Sequence, residues 1–210
     1  MDGFATLLDG YRRFRAGDYA RQHERWADLR EGQSPQFMVI ACSDSRVDPA
    51  LIFDVSPGEI FSVRNVANLV PPYEEGGGRH GVSAALEFAV TQLEVPNVVV
   101  MGHGSCGGCQ AALSRGFKDA PEGQGAFISH WVDMLDEPRD RIVAEHGDGA
   151  EGARALELET VRISLRNLRT FDFVKTREDA GKLKLHGAYF AIMDGILHVM
   201  DDQGEFAPAT

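Results

Sequence analysis

The sequence predicts an α/β fold with a mostly parallel central sheet flanked by helices, an N-terminal helical arm, and a C-terminal hairpin at the sheet edge. Short runs at residues 37–41, 59–66 and 98–101 are typical of buried strands. A helical pattern over residues 82–93 separates the second run from the third. This alternation requires crossover connections and therefore parallel strands. Asp194-Gly195 lies between two further apolar runs, which is a strong hairpin signal.

The first 32 residues indicate a helical arm that precedes the first strand. Apolar residues recur at helical spacing up to Phe14, Gly17 interrupts the pattern, and residues 19–30 predict a second helix. We expect this arm to pack on the body of the same chain or on a partner subunit. No boundary divides the remaining sequence, so we expect residues 1–210 to form a single domain.

The remaining elements complete the helical layers and the sheet edge. We expect helices from Cys106 to Leu113, over residues 126–146 and over residues 153–169. The apolar runs at 189–193 and 196–200 are the two strands of the predicted hairpin.

Composition restricts the classes of partner and compartment. The net charge of −11 argues against nucleic acid or an anionic membrane surface as a partner. No run of about 18 apolar residues occurs, so we expect no transmembrane helix. The first 20 residues lack the continuous apolar stretch of a signal peptide. Three cysteines, an odd number, are typical of a reducing compartment, so we expect a cytoplasmic protein.

Two short segments carry the residue types of a catalytic zinc site. Cys42 opens Cys-Ser-Asp-Ser-Arg, and His103 and Cys106 lie three residues apart in His-Gly-Ser-Cys. Both segments follow predicted strands, and the carboxyl ends of parallel strands meet at one edge of a sheet. Three protein ligands leave one zinc position open, as in catalytic sites. Asp44 and Arg46 follow the first thiolate and indicate a means of managing a proton. The pattern favours metal-assisted hydration or hydrolysis.

These residues resemble the two zinc motifs of the β-class carbonic anhydrases. Segments 41–47 (Ala-Cys-Ser-Asp-Ser-Arg-Val) and 102–108 (Gly-His-Gly-Ser-Cys-Gly-Gly) carry the resemblance. Pro57-Gly58-Glu59 and residues 64–70 between them are similar to the family as well. The resemblance extends from about Gln33 to Leu113, and the combination is far more specific than either motif alone.

The resemblance implies a chemistry and an assembly. It implies zinc held by Cys42, His103 and Cys106, with Asp44 and Arg46 as a dyad beside the metal. The implied reaction is reversible hydration of carbon dioxide to bicarbonate and a proton, by attack of zinc-bound hydroxide. It also implies a homodimer, or a larger assembly built from dimers, with the N-terminal helices reaching across.

The resemblance further implies a pocket for carbon dioxide and an open metal site. Val39 occupies the position where an allosteric branch of the family needs tryptophan, which favours the plant-like branch with a permanently open zinc site. Phe88 occupies a position where some members carry tyrosine. The positions that the resemblance assigns to the substrate pocket are Gln33, Phe61, Val66, Phe88 and Gly107.

Several alternatives remain open from the residues. Cys109 is interpreted as a small apolar side chain, but it could instead pair with Cys106 as a redox Cys-x-x-Cys or close the zinc site as a fourth ligand. His80 is interpreted as a loop histidine rather than a proton relay. A hydrolase of carbon disulfide or carbonyl sulfide on the same fold, and a non-catalytic zinc or redox sensor, are the competing functions.

Overall fold

The computed structural model describes residues 3–76 and 78–209, which form two compact units divided between Ser34 and Pro35. The N-terminal unit contains helices α1 (Gly3–Ala16), α2 (Asp18–Arg21) and α3 (His23–Leu29). The predicted helix over residues 19–30 is therefore interrupted at Gln22. Aromatic rings of Phe14, Tyr19 and Trp26 pack at centroid distances of 5.6–6.1 Å and join the three helices. The first two residues of the predicted arm lie outside the described residues, and its membership of a single domain stays a prediction.

The second unit is built on a six-stranded sheet, which confirms the predicted α/β class. Its strand order is β2-β1-β3-β4-β5-β6. Strands β1 to β4 are mutually parallel, whereas β5 and β6 are antiparallel additions at one edge. The strands are β1 (Phe37–Cys42), β2 (Ile60–Asn65), β3 (Asn97–His103), β4 (Lys184–Ala191), β5 (Ile196–Met200) and β6 (Phe206–Pro208).

The helices of this unit differ from the sequence prediction mainly at their boundaries. The predicted helix at 82–93 continues as a π-helical segment over Phe88–Gln92. The predicted helix at 126–146 is divided by a 3₁₀ turn at Asp133–Leu135. The helices at Pro49–Ile52 and Asp172–Asp179 and the strand at Phe206–Pro208 were not predicted. The helices are α4 (Pro49–Ile52), α5 (Gly81–Glu87), α6 (Gly107–Ser114), α7 (Ala126–Val132), α8 (Asp136–His146), α9 (Ala150–Leu168) and α10 (Asp172–Asp179).

Helix α9 packs closely on the sheet near the carboxyl end of β3. Its Val161 belongs to the same buried cluster as the strand residues Met38 and Val98. A Cβ atom at Gly102 would lie 2.8 Å from Val161 Cγ2, which is too close for a real contact. Glycine at this position therefore lets the middle of α9 approach the carboxyl end of β3.

The strand register places the carboxyl ends of the parallel strands side by side at one edge of the sheet. Cys42 lies opposite Asn65 on β2, and His103 lies opposite Phe190 on β4. The predicted hairpin is confirmed, because β4 and β5 pair across a turn that contains Asp194 and Gly195, with Gly195 at φ 72°. Its first strand spans Lys184–Ala191 rather than the predicted residues 189–193. Within the described part of the chain, no helix combines the length and apolar character needed to cross a membrane.

Candidate metal centre and active site

Three elements bring the predicted zinc ligands together at this edge. Cys42 ends β1, His103 ends β3, and Cys106 is the N-cap residue of α6. The two Sγ atoms are 3.9 Å apart, and all three potential ligand atoms lie within 4.8 Å of one another. The three side chains are buried. Buried polar groups grouped at this spacing are arranged as a metal site requires.

The histidine leaves one ring nitrogen for a metal ion. His103 Nδ1 donates a hydrogen bond to the Gly104 carbonyl at 2.9 Å, since a carbonyl oxygen can only accept. This bond assigns the neutral tautomer in which Nε2 carries the lone pair. Nε2 is buried, and none of the described residues gives it a hydrogen-bond partner. An unsatisfied buried acceptor is costly, and a metal ion would satisfy it. The donor set therefore fits zinc.

The two thiols are poor acids unless a cation is nearby. A hydrogen bond with Cys106, with burial adding to it, raises the pKa of Cys42 to about 12. A hydrogen bond with Cys109, again assisted by burial, raises the pKa of Cys106 to about 12. Adjacent thiolates in a dry site repel each other, so a divalent cation is needed to take the place of their protons.

Asp44 and Arg46 form a close two-pronged pair beside the ligands. Arg46 Nε donates to Asp44 Oδ1 at 2.9 Å and Arg46 Nη2 donates to Oδ2 at 2.7 Å. The Arg46 backbone N–H also donates to Oδ1 at 2.9 Å. These hydrogen bonds hold the pKa of Asp44 well below its usual range. Of about four acceptor positions on a carboxylate, three are used, which leaves one on Oδ2.

Two arginines connect this dyad to the ends of the strands through hydrogen bonds. Arg46 Nη2 also donates to the Ser105 carbonyl at 3.0 Å, which links the two motifs. Arg64 on β2 donates to the carbonyls of Cys42 and Asp44 at 2.9 and 2.6 Å. A third bond joins Arg64 to the Asp48 carboxylate at 2.9 Å. Sequence reasoning did not single out Arg64, although it lies in a segment that carries the family resemblance.

Val66 is held against the first turn of α6 by a tight loop. Ala67 and Asn68 both have positive φ, at 61° and 50°. The Asn65 side chain donates to the Leu69 carbonyl and accepts from the Leu69 N–H, at 2.8 and 2.9 Å. A Cβ atom at Gly108 would lie 2.6 Å from Val66 Cγ1. The predicted pocket residue Val66 thus lies beside the helix that Cys106 caps.

The aromatic pocket residues lie elsewhere in this chain. Phe61 and Phe88 stack on each other with centroids 5.9 Å apart, and Phe88 is 46% exposed. Phe61 lies opposite Met38, four residues before Cys42, which corresponds to about 13 Å along the strand. They are therefore not beside the metal ligands of their own chain. Gln33 belongs to the N-terminal unit, and its pocket role stays a prediction.

The remaining residues of interest have separate surroundings. Gly107 opens α6, and a Cβ atom there would meet no other atom within 4 Å. Cys109 is buried in an apolar cluster with Leu113 and Leu135, and it is outside the group of three ligands. His80 lines a different cavity, with Trp131 among its other lining residues.

One buried carboxylate at the site was missed by sequence reasoning. Glu157 on α9 accepts a hydrogen bond from the Cys106 backbone N–H at 3.0 Å. It lies in an amphipathic helix with many other acidic and basic residues. No local pattern in the sequence distinguishes it from them.

Comparison with known proteins identifies relatives over nearly the whole chain. Residues 37–197 match the family described as carbonic anhydrase. β-Carbonic anhydrase 3 of Arabidopsis thaliana is 33% identical over 212 residues, covering 100% of this chain and 81% of that protein. The mitochondrial β-carbonic anhydrase 6 of the same plant is 37% identical over 185 residues, covering 87% and 62%.

Solved structures show the same similarity. The β-carbonic anhydrase CcaA has a TM-score of 0.90 and 29% identity, with 100% of this chain and 93% of that one covered. The Coccomyxa β-carbonic anhydrase, solved in complex with acetazolamide, has a TM-score of 0.81 and 27% identity, with 100% and 94% covered.

Proposed function

Because this chain belongs to the β-class carbonic anhydrases, we propose that Cys42, His103 and Cys106 hold its catalytic zinc and that Asp44 and Arg46 assist the reaction beside it. The enzyme catalyses the zinc-dependent, reversible hydration of carbon dioxide to bicarbonate and a proton. The observation that carries the assignment of residues is the buried His103 Nε2, which has no hydrogen-bond partner among the described residues, in a side chain with a ring nitrogen within 4.8 Å of both Sγ atoms.

The proposed ligands suit a catalytic rather than a structural ion. Two thiolates and one imidazole are three protein ligands, so the fourth position stays open. Bound zinc supplies a Lewis acid that lowers the pKa of water towards neutrality. Cys109 remains outside the proposed ligand set as a small buried side chain, because it is not among the three residues whose ligand atoms lie within 4.8 Å of one another.

The proposed task of Asp44 is to orient the reacting water. Its free acceptor position on Oδ2 takes one O–H hydrogen bond, and this aims the remaining lone pair of the water oxygen at carbon dioxide. Arg46 keeps the carboxylate in place through its two-pronged bond, and it also prevents Asp44 from turning towards the metal. This arrangement supports an open zinc site.

The proposed pocket needs a second copy of the chain. Val66 and Gly107 lie next to Cys106 in the same chain, whereas Phe61 and Phe88 form an accessible stacked pair away from it. We propose that this pair, with Gln33, lines the pocket of the partner subunit in a homodimer. Apolar walls suit a nonpolar gas, and a glutamine side chain can donate to one of its oxygens.

We also propose a cytoplasmic location. Cys42, Cys106 and Cys109 are all free and buried, as expected in a reducing compartment. Carbon dioxide crosses membranes unaided, so the reaction itself does not require another compartment.

Anomalous diffraction at the zinc edge, from crystals of the purified protein grown at neutral pH, tests the proposed ligand set. We expect zinc bonded to Cys42 Sγ, His103 Nε2, Cys106 Sγ and one non-protein oxygen. A bond from zinc to Asp44 would contradict the open site, and a bond to Cys109 would indicate a closed structural site.

A further inference from the structure

Helix α9 presents a line of polar side chains, most of them buried, to the loops that follow β2 and β3. Glu157, Thr160, Ser164 and Asn167 are spaced three or four residues apart and therefore share one face of the helix. Thr160 accepts from Asn68 Nδ2 at 3.2 Å, and Ser164 bonds to the Asn68 carbonyl and the Val70 N–H at 3.0 and 3.1 Å. This face organises the loop after β2.

Glu157 is the member of this face that reaches the metal motif itself. The residue is 5% exposed. Oε1 accepts from the Cys106 backbone N–H at 3.0 Å, and Oε2 accepts from the Tyr189 hydroxyl at 2.8 Å. Arg154 stacks over the Tyr189 ring, 4.1 Å from its centroid. Both carboxylate oxygens are thus engaged by donors that are themselves held in place.

The turn that Glu157 contacts needs such support. Ser105, between His103 and Cys106, has φ 55°, a left-handed conformation that is unfavourable for a residue with a side chain. Such a conformation persists only when surrounding contacts enforce it. Arg46 holds the Ser105 carbonyl at 3.0 Å, and Glu157 holds the next N–H, that of Cys106. The peptide group that follows the strained residue is therefore held at both its oxygen and its N–H.

We propose that Glu157 is a positioning residue that holds Cys106 in its metal-binding geometry and thereby controls how tightly the protein retains zinc. Tyr189 supports Glu157 in this task by fixing its second oxygen. The proposal rests on Cys106 being a zinc ligand, as proposed above. According to this proposal, tight zinc binding also requires a buried carboxylate 51 residues after the cysteine that it positions. The two ligand motifs do not contain this residue.

The test compares zinc release from the parent enzyme and from Glu157→Gln, Tyr189→Phe and Ser164→Ala. Each zinc-loaded protein is mixed with a chromophoric chelator at neutral pH, and the rate of zinc transfer is recorded. Removal of an outer partner of a metal ligand typically costs 10- to 100-fold in affinity, so we expect about 10- to 100-fold faster release from E157Q. Release from Y189F should lie between E157Q and the parent.

Ser164→Ala is the matched control, because it also removes a buried polar contact from the same face of α9 but leaves Cys106 untouched. We expect it to lower the unfolding midpoint without accelerating zinc release. A spectroscopic readout accompanies the kinetics. The thiolate-to-cobalt charge-transfer band of the cobalt-substituted protein should shift in E157Q and remain unchanged in S164A.

The outcomes separate this role from the metal site itself. A parent protein that retains no zinc would count against the proposed ligands. Equal rates of zinc release from the parent and E157Q, or equal acceleration of release in E157Q and S164A, would overturn the positioning role of Glu157. Neither result would contradict the proposed zinc ligands. If E157Q does not fold, Y189F decides: release faster than from S164A supports the proposal, and release at the parent rate overturns it.

Discussion

At the scale of single residues, the site depends on a few side chains that each keep one acceptor position free of hydrogen bonds. His103 uses Nδ1 for the Gly104 carbonyl and leaves Nε2 without a partner among the described residues. Asp44 uses three acceptor positions for Arg46 and leaves one on Oδ2. In both cases a strong local contact fixes the direction of the free lone pair. Preorganisation of this kind is what positions a ligand or a reactant.

The Asp44–Arg46 pair predicts a pH dependence of stability. The pKa of Asp44 is lowered in the folded protein, while in the unfolded chain it returns to about 3.9. The stabilisation from the pair is therefore complete above about pH 4 and is lost as the pH falls below that value. We expect the difference in urea midpoint between the parent and Asp44→Asn to be constant from pH 5 to 8 and to shrink below pH 4. A difference that already declines between pH 7 and 5 would contradict this account.

Sequence reasoning named the three side chains that the structure groups together, but not the residues that support them. Cys42, His103 and Cys106 were predictable because each follows a strand or lies three residues from another ligand. Arg64 and Glu157 were not, because their partners lie 20 to 22 and 51 residues away and no periodicity encodes such contacts. Supporting contacts of this kind arise only when the topology is known.

At the scale of elements, the strands were predicted better than the helix boundaries. Buried parallel strands form continuous apolar runs, so β1 and β3 were recognised with small errors at their ends. The interruption at Gln22 has no glycine or proline to signal it, and the π-helical segment after α5 keeps a helical pattern of apolar residues. Strand β6 has three residues, too few for a period of two to be seen.

The contact between α6 and the loop after β2 predicts opposite effects of two neighbouring substitutions. Gly108→Ala places a Cβ atom 3.0 Å from Ala67 Cβ and 3.2 Å from Ala67 N, so backbone must move. We expect a loss of about 1–3 kcal/mol in the free energy of unfolding, as for overpacking elsewhere. Gly107→Ala meets no atom within 4 Å and should stabilise by about 0.4–1 kcal/mol. Chemical denaturation of both variants measures this, and equal effects would contradict the close packing.

At the scale of the whole molecule, the fold brings together the proposed metal ligands but not all of the predicted pocket. The parallel strands place Cys42 and His103 side by side at one edge of the sheet, as the order of elements along the sequence predicted. The stacked Phe61–Phe88 pair lies about 13 Å away along β2. Sequence position could not reveal this separation, because a family motif records which residues serve a pocket and not which subunit supplies them.

The proposed sharing of pockets predicts complementation between two defective chains. Asp44→Asn keeps the aromatic pair, whereas the double variant Phe61→Ala/Phe88→Ala keeps Asp44. In a symmetric dimer that shares residues across its interface, the mixed assembly regains one working site per pair of chains. Co-expression with two different tags isolates the mixed assembly for assay. Activity no higher than the mean of the two separate variants would contradict sharing between subunits.

The most direct test of the central claim is stopped-flow hydration of carbon dioxide by the parent, Asp44→Asn and Asp140→Asn at equal zinc content. Asp140 also binds an arginine, Arg115, at 2.8 Å through both oxygens, but on the exposed surface. We predict rapid hydration by the parent and by D140N, and a loss on the order of 100-fold in D44N with zinc retained. Hydration by D44N at the parent rate, or none by the zinc-loaded parent, would contradict the account.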